Sequence, residues 1–509
     1  MRKALSLFLI LLVIGIGGML YAHTTLMAAQ GNVSFTEVAS FGDASAAAGL
    51  TVSVQAQLAR HMTWDSVHTF GRTSGNVEKP NPQPTSDTKT DFMFSPAQLE
   101  WMSPYTGSVL SLSIASGFSG SSTGGSLLDD DLLDPSFYGP GRITFYKILQ
   151  DVASHAKSSE RHTESVLLRD YSEYYPVTAS LMFLPNSFID PIPRSSYSQQ
   201  FAYPQTEIEA EKAFSDFFRI PVPENNRISV EVYKDSTGNV VELSVSNDSS
   251  MWLNTASVNS KAGIYFTLEA VGEEGRNNIR GDYGVYLLPV SSIHDKNAYM
   301  YPPFDYHDLR TVYKLDKSVS VLTLDLSEDE RCLNLITSEG GSLYLTVIEL
   351  ATMTEKQKLL LFSDVGDFWL QCSTYTDGIL FVLLDNARFI VAQLNRDGVY
   401  QVELTGERNV GLLHEKSLES GYYRWYDTNI AWSGERLAIV TENQRFITYD
   451  DDYSAGYPQD SCGFVIEIYD EGGLQYKALY ESSLDALVKR EHDKDWCRLI
   501  DSGGLSVKW

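Results

Sequence analysis

The chain has 509 residues, of which 43% are apolar and 12% aromatic, so it can bury a large core and global disorder is excluded. Acidic residues number 66 against 39 basic ones, a net charge of −27. A surface of that sign repels phosphate backbones and excludes nucleic acid as a partner.

Arg2 and Lys3 precede "ALSLFLILLVIGIGGMLYA", residues 4–22, which carry no charge. This run is about as long as a bilayer requires and longer than an ordinary signal-peptide core. Cleavage after Ala22 would place Leu20 at −3, and cleavage after Ala29 would place Met27 there; neither is small. No cysteine follows the run, so no lipid anchor is expected. Segment 1–22 reads as an uncleaved signal-anchor, with a cleaved signal as the alternative. Its basic end lies in the cytoplasm, which makes the chain a single-pass protein of the cell membrane with its body outside the cytoplasm. Residues 23–44 read as a stalk and 45–509 as the extracytoplasmic body.

The body consists mostly of short alternating apolar runs broken by Gly, Asp, Asn and Ser, the pattern of antiparallel strands. "SVLSLSIA" (108–115), "RISVEVYKDSTGNVVELSVS" (227–246) and "AGIYFTLEAV" (262–271) are examples, the middle one a hairpin turning at Gly238-Asn239. Two stretches read as loop insertions, the Pro/Thr-rich 71–91 and the Gly/Ser-rich, acidic 116–141; a third is 448–462. A capping box at Thr206–Glu209 starts a helix that puts Ile208, Phe214, Phe217 and Phe218 near one face and ends at Pro221. Shorter helices at 148–157 and 483–491 would decorate the β framework.

A repeat runs through the last third of the chain. "LSEDERCLNLIT" (326–337), "YTDGILFVLL" (375–384) and "WSGERLAIVT" (432–441) each combine a Ser/Thr turn with an apolar strand. Two further strands follow each. Aligned on Ser327, Thr376 and Ser433, the copies lie 49 and 57 residues apart, with room for a fourth strand before the turn. A four-stranded antiparallel unit of this size matches a propeller blade, whose faces are covered only when units stack radially. The fold expected is all-β, a β-propeller of about seven or eight four-stranded blades, preceded by one N-terminal transmembrane helix. Leu437–Thr441 reads as the opening strand of its blade.

The Ser/Thr-x-Asp/Gly turn resembles the S-P-D-G-type turn of WD-repeat-like bacterial propellers over residues 326–482, without its proline. Through "GDASAAAGLTV" (42–52), "ARHMTWDSVHTFG" (59–71) and "LRDYSEYYP" (168–176), the chain resembles uncharacterised membrane-anchored exported proteins of Gram-positive bacteria. That resemblance implies location and fold and no activity.

No H-E-x-x-H, P-loop or G-x-G-x-x-G occurs. S-x-x-K occurs at Ser86–Lys89 and Ser154–Lys157 without partner motifs. His61 and His68 fall on opposite faces of a strand and read as partly exposed sheet residues. The His-Asp dipeptides at His294, His307 and His492 read as polar turns. "LLDDDLLD" (127–134) and "DDDYSAGYPQD" (450–460) lack calcium-loop spacing. No catalytic, cofactor-binding or metal-binding residue is therefore expected. Cys332, Cys372, Cys462 and Cys497 show no C-x-x-C, which leaves both pairing and free half-buried thiols open.

Of the 29 tyrosines, several cluster in loop-like stretches such as "GYYRWYDT" (421–428). Exposed aromatic platforms bind glycans or proteins. The recognition surface expected comprises Tyr422, Tyr423, Trp425 and Tyr426 with Asp450, Asp451 and Asp452. The function expected is a membrane-tethered, non-catalytic binding or scaffolding module with an envelope protein or glycan as partner. The alternatives are a glycan- or peptide-hydrolysing enzyme with dispersed carboxylates and a cell-wall glycan-binding protein.

Overall fold

The computed structural model describes residues 15–21, 35–58, 62–71, 86–94, 110–115, 117–122, 126–128, 139–181, 204–247, 251–272, 279, 281–290, 304–366, 368–385, 387–409, 428–443, 463–482, 498–499 and 505–509. The chain divides into two compact units, Met1–Thr106 with Phe368–Trp509, and Gly107–Asp367. Of the span expected at 4–22, the described part, 15–21, is helical; among the described residues no helix is long and apolar enough to cross a membrane.

The first unit contains three antiparallel sheets. One joins Thr51–Leu58, Met62–Phe70 and Ser86–Phe94 to the C-terminal strands Arg498–Leu499 and Leu505–Lys508. The second runs Leu370–Thr376, Ile379–Leu384, Arg388–Leu394, Tyr400–Glu407 in chain order. The third runs Thr428–Trp432, Leu437–Asn443, Gly463–Asp470, Gly473–Ser482 and is completed by the N-terminal strand Phe35–Gly42. The third sheet is sandwiched between the other two. Ala438, Val440 and Ile466 pack with Val52, Val54 and Phe70, while Leu437, Ile439 and Tyr469 pack with Phe381, Leu383 and Phe389. Burial on both faces explains why these central strands are apolar almost without alternation.

The second unit has the same plan with more helix. Its first sheet is ordered Gly117–Ser121, Val240–Asn247, Arg227–Lys234, Arg161–Leu167. The next runs Trp252–Ser260, Gly263–Val271, Gly284–Pro289, Arg310–Lys314. The last runs Ser320–Leu326, Cys332–Glu339, Ser342–Glu349, Thr354–Phe362. Leu110–Ile114 and Val177–Leu181 form a separate pair. Tyr265, Val285 and Leu287 pack against Val321, Leu333 and Leu335, so adjacent sheets again share a core.

Two helices, α1 (Pro140–His155) and α2 (Pro204–Phe218), complete this unit. They are not decorations. Phe145, Ile148, Leu149 and Val152 of α1 and Phe214 and Phe218 of α2 are buried with Ile228, Val230, Val232, Phe266 and Tyr286. Phe218 meets Tyr286 edge to face at 5.0 Å. Helix α1 begins eight residues before the expected start because Pro140 occupies its first turn, where a missing N–H costs nothing. The helix expected at 483–491 lies outside the described residues.

The stretches read as loops at 71–91 and 116–141 each carry a strand. Ser86–Phe94 pairs with Met62–Phe70, and Gly117–Ser121 pairs with Glu242–Ser246. Their Ser, Thr and Gly content hid them, because edge strands need little apolar patterning. The insertion at 448–462 lies outside the described residues. The fourth strand of each repeat precedes the Ser/Thr turn, so Leu437–Asn443 is the second strand of its sheet rather than the opening one. Those turns use two chemistries. Ser433 Oγ accepts from Arg436 N at 2.9 Å, and Ser327 Oγ accepts from Cys332 N at 2.9 Å. At the third, Asp377 (φ 49°) and Gly378 (φ 74°) supply two successive left-handed residues.

His68 corrects another expectation, since it is fully buried rather than partly exposed. Its ring lies 5.3 Å from Phe35 and 5.5 Å from Phe464. Burial pushes its pKa down to about 4 from 6.5. Between those values the unfolded chain binds more protons than the folded one, so stability falls as pH drops through this window and levels off below it. Relative to a His68→Phe variant, the full-length protein is expected to lose about 2–3 kcal/mol between pH 7 and pH 4.5. Urea unfolding at both pH values measures this, and parallel losses in the two proteins would refute a neutral buried imidazole.

Candidate functional site

The residues singled out in the sequence, Tyr422, Tyr423, Trp425, Tyr426, Asp450, Asp451 and Asp452, lie outside the described residues. The strands that flank them are described. Segment 410–427 leads into Thr428, which pairs with Thr441. Segment 444–462 leaves Asn443 and returns at Gly463, and these two residues pair with each other. Antiparallel order therefore attaches both segments to the same end of the sheet that begins at Thr428.

Beneath this sheet's face lies a cluster of buried charges. Glu467 and Lys477 sit opposite each other on neighbouring strands. Arg408 directly follows the strand Tyr400–Glu407 of the adjacent sheet. All three side chains are at most 1% exposed. Arg408 Nε donates to Glu467 Oε2 at 2.7 Å, and Lys477 Nζ lies 2.9 Å from Glu467 Oε1. Lys477 also donates to the Asn409 carbonyl at 2.7 Å, and the Tyr469 hydroxyl donates to Glu467 at 3.1 Å. Burial alone would raise the Glu467 pKa, but the two cations outweigh it and hold the carboxyl below its ordinary value. Burial pushes the nearby Cys372 thiol up to about 11, which keeps it protonated and unreactive at neutral pH. Cys332 and Cys372 are free, half-buried thiols on strands.

This cluster has no open face, so it pins two stacked sheets and offers no binding position. Glu467→Gln would leave two buried cations short of their counter-charge. It is expected to cost about 3–5 kcal/mol in urea unfolding. Joint replacement by Arg408→Met, Glu467→Leu and Lys477→Met is expected to be near neutral, and a similar loss in both variants would disprove the charge balance.

A second cluster, in the other unit, is open to solvent. His155 is the last residue of α1, and His162 and Glu164 follow on the edge strand Arg161–Leu167. Being two residues apart in a strand, His162 and Glu164 project from the same face. His155 Nδ1 lies 3.1 Å and His162 Nε2 3.2 Å from Glu164 Oε2. The two imidazoles hold the Glu164 carboxyl below its ordinary pKa by hydrogen bonding. One helical turn before His155, Asp151 accepts a hydrogen bond from the half-buried Tyr171 hydroxyl. Burial, that bond and the charges of Asp151, Glu164 and Asp170 push the tyrosine up to about 12. Among the described residues, His155, His162 and Glu164 are the one group of three whose donor atoms all lie within 4.8 Å of one another. The sequence reading passed over them, although the H-x-E spacing of "RHTE" (161–164) is a signal for two ligands on one face.

A further titrating group lies in the sheet Ser320–Phe362. Burial pushes the Asp325 carboxyl up to about 6, so it changes charge near neutral pH. It sits directly opposite the buried Asn334.

No protein-family model matches the sequence, and no curated protein does. Among solved structures, the chain is similar to the periplasmic gluconolactonase of Pseudomonas aeruginosa at 12% identity and a TM-score of 0.24, over 52% of this chain and 68% of that one. It is similar to Hsv2 of Kluyveromyces lactis at 11% identity and a TM-score of 0.21, over 48% and 83%. A 6-phosphogluconolactonase candidate from Bacteroides uniformis matches at 10% identity and a TM-score of 0.20, over 49% and 90%. The first and third are 6-phosphogluconolactonase-like β-propeller proteins. The neighbours named as lactonases stand against the expectation of a non-catalytic body.

Proposed function

We propose that the chain is an exported β-propeller, tethered at the cell membrane through residues 4–22, that binds an envelope partner. Its binding surface is the end of the sheet Thr428–Ser482 that carries Tyr422, Tyr423, Trp425, Tyr426, Asp450, Asp451 and Asp452. One observation carries the reading. Two segments, one rich in aromatics and one in carboxylates, are attached by strand pairing to the same end of one sheet. Aromatic rings and carboxylates suit a polyhydroxylated or peptide partner, ring faces covering apolar patches and carboxylates accepting hydroxyl or amide hydrogens. The propeller assignment is supported by consecutive stacking of sheets within each unit and by the exchange of strands between the chain ends.

Cross-linking in the native envelope tests the binding surface. A variant carrying Tyr422→Ser, Tyr423→Ser, Trp425→Ser and Tyr426→Ser is expected to recover at least about tenfold less partner than the unaltered chain, since aromatic anchors dominate interface energies. Equal recovery would sink the surface assignment; the captured species distinguishes glycan from protein. The tether is tested separately by adding protease to intact cells. Digestion of a membrane-retained body is expected, and a protected or released body would overturn the topology.

A further inference from the structure

We infer that His155, His162 and Glu164 form a binding site for one divalent transition-metal ion, with Zn²⁺ the ion that the donor set fits. Two imidazole nitrogens and one carboxylate oxygen make up a donor set used by three-ligand zinc sites that keep a position open. Around a tetrahedral ion with bonds of about 2.0–2.1 Å, neighbouring donors stand about 3.3 Å apart. The Glu164 oxygen already stands 3.1 Å and 3.2 Å from the two nitrogens. Two of the three edges of a tetrahedral face are therefore already present, and the two imidazole nitrogens lie within 4.8 Å of each other.

The supports for these side chains are rigid. The loop joining His155 to His162 is tied to the hairpin Arg227–Asn247 at three points. Lys234 Nζ donates to the Ala156 carbonyl at 3.1 Å, Ser159 N donates to the Asp235 carbonyl at 3.1 Å, and Lys234 N donates to the Glu160 carbonyl at 3.3 Å. The hairpin turn is itself held by Asp235, whose carboxylate accepts from Thr237 N at 2.8 Å and Asn239 N at 2.9 Å. The loop between the two ligand-bearing elements is thus held by contacts independent of any ion, which favours a pre-organised site.

Access is also right. The side chains of His155, Glu164 and His162 are 52%, 36% and 29% exposed, so an ion can enter and the fourth position faces solvent. The opposite face of the strand is occupied by Arg161, which pairs with Glu231 and Glu242 and does not compete for Glu164. The site belongs to the unit Gly107–Asp367.

Titration of the full-length, metal-stripped protein with Co²⁺ and Zn²⁺ tests the inference. One equivalent of Co²⁺ is expected to bind with the visible absorption of a tetrahedral ion, and Zn²⁺ is expected to displace it. His155→Ala and His162→Ala should each lower affinity by on the order of 100-fold, at the upper end of what loss of a mere outer-shell partner produces. Glu164→Gln, which keeps the shape, should weaken binding in the same direction. Circular dichroism confirms that the variants are folded. Undiminished binding by a folded His155→Ala/His162→Ala variant, or no tetrahedral absorption in the unaltered chain, overturns the site.

Discussion

The exchange of strands between the two ends of the chain sets the terms for the first unit. Phe35–Gly42 lies along Gly473–Ser482, and Leu505–Lys508 lies along Thr51–Val54. Each sheet thus takes its outermost strand from the opposite end of the chain. The join allows little variation. A side chain at Gly42 (φ 86°) would place its Cβ 2.1 Å from the Gln475 carbonyl oxygen. Glu37 accepts hydrogen bonds from Tyr476 and Tyr480 at 3.0 Å and 3.2 Å, and the Trp509 indole donates to the Ala431 carbonyl at 3.2 Å. The strand pairings and the Glu37 bonds join residues more than 400 positions apart in sequence, so they carry a large loop-closure cost.

Stacking then dictates what the central strands contain. A sheet covered on both faces has no wet side on which to place polar residues. Gly463–Tyr469 is buried throughout, and its single charge, Glu467, is matched by Lys477 across the strand pair and Arg408 from the neighbouring sheet. The matching fixes which face of one sheet meets which face of the next, because a one-residue slip would separate Glu467 from both partners. His68 obeys the same constraint differently. It remains neutral among aromatic rings, so it packs as an apolar residue at neutral pH.

Strand content, hairpin turns and the repeat from residue 326 onward were legible because alternation and turn residues are local properties. Ser327, Thr376 and Ser433 marked equivalent turns, although local pattern could not show that a strand preceded each one. Helix α1 was partly hidden because its buried positions are interrupted by Thr, Lys and Gln, which weakens the apolar stripe. The chain-end exchange was not legible, since pairing of residue 35 with residue 482 leaves no local trace. The histidine cluster was half legible. H-x-E places two donors on one strand face, but the third comes from a helix whose end had to be placed first.

The repeat and its interruptions divide the work of the molecule. Residues that stack sheets are committed on both faces and are poor candidates for chemistry. Side chains with freedom to meet a ligand must sit at sheet ends, on edge strands or at helix termini. His155 ends a helix, His162 and Glu164 lie on an edge strand, and the segments carrying the loop aromatics and carboxylates join one end of a sheet. The helices of the second unit are thus more than added core. Helix α1 lies in the connection between the two edge strands Gly117–Ser121 and Arg161–Leu167, and the junction of its C-terminus with the second of them places donors from two elements within hydrogen-bonding distance of one carboxylate oxygen.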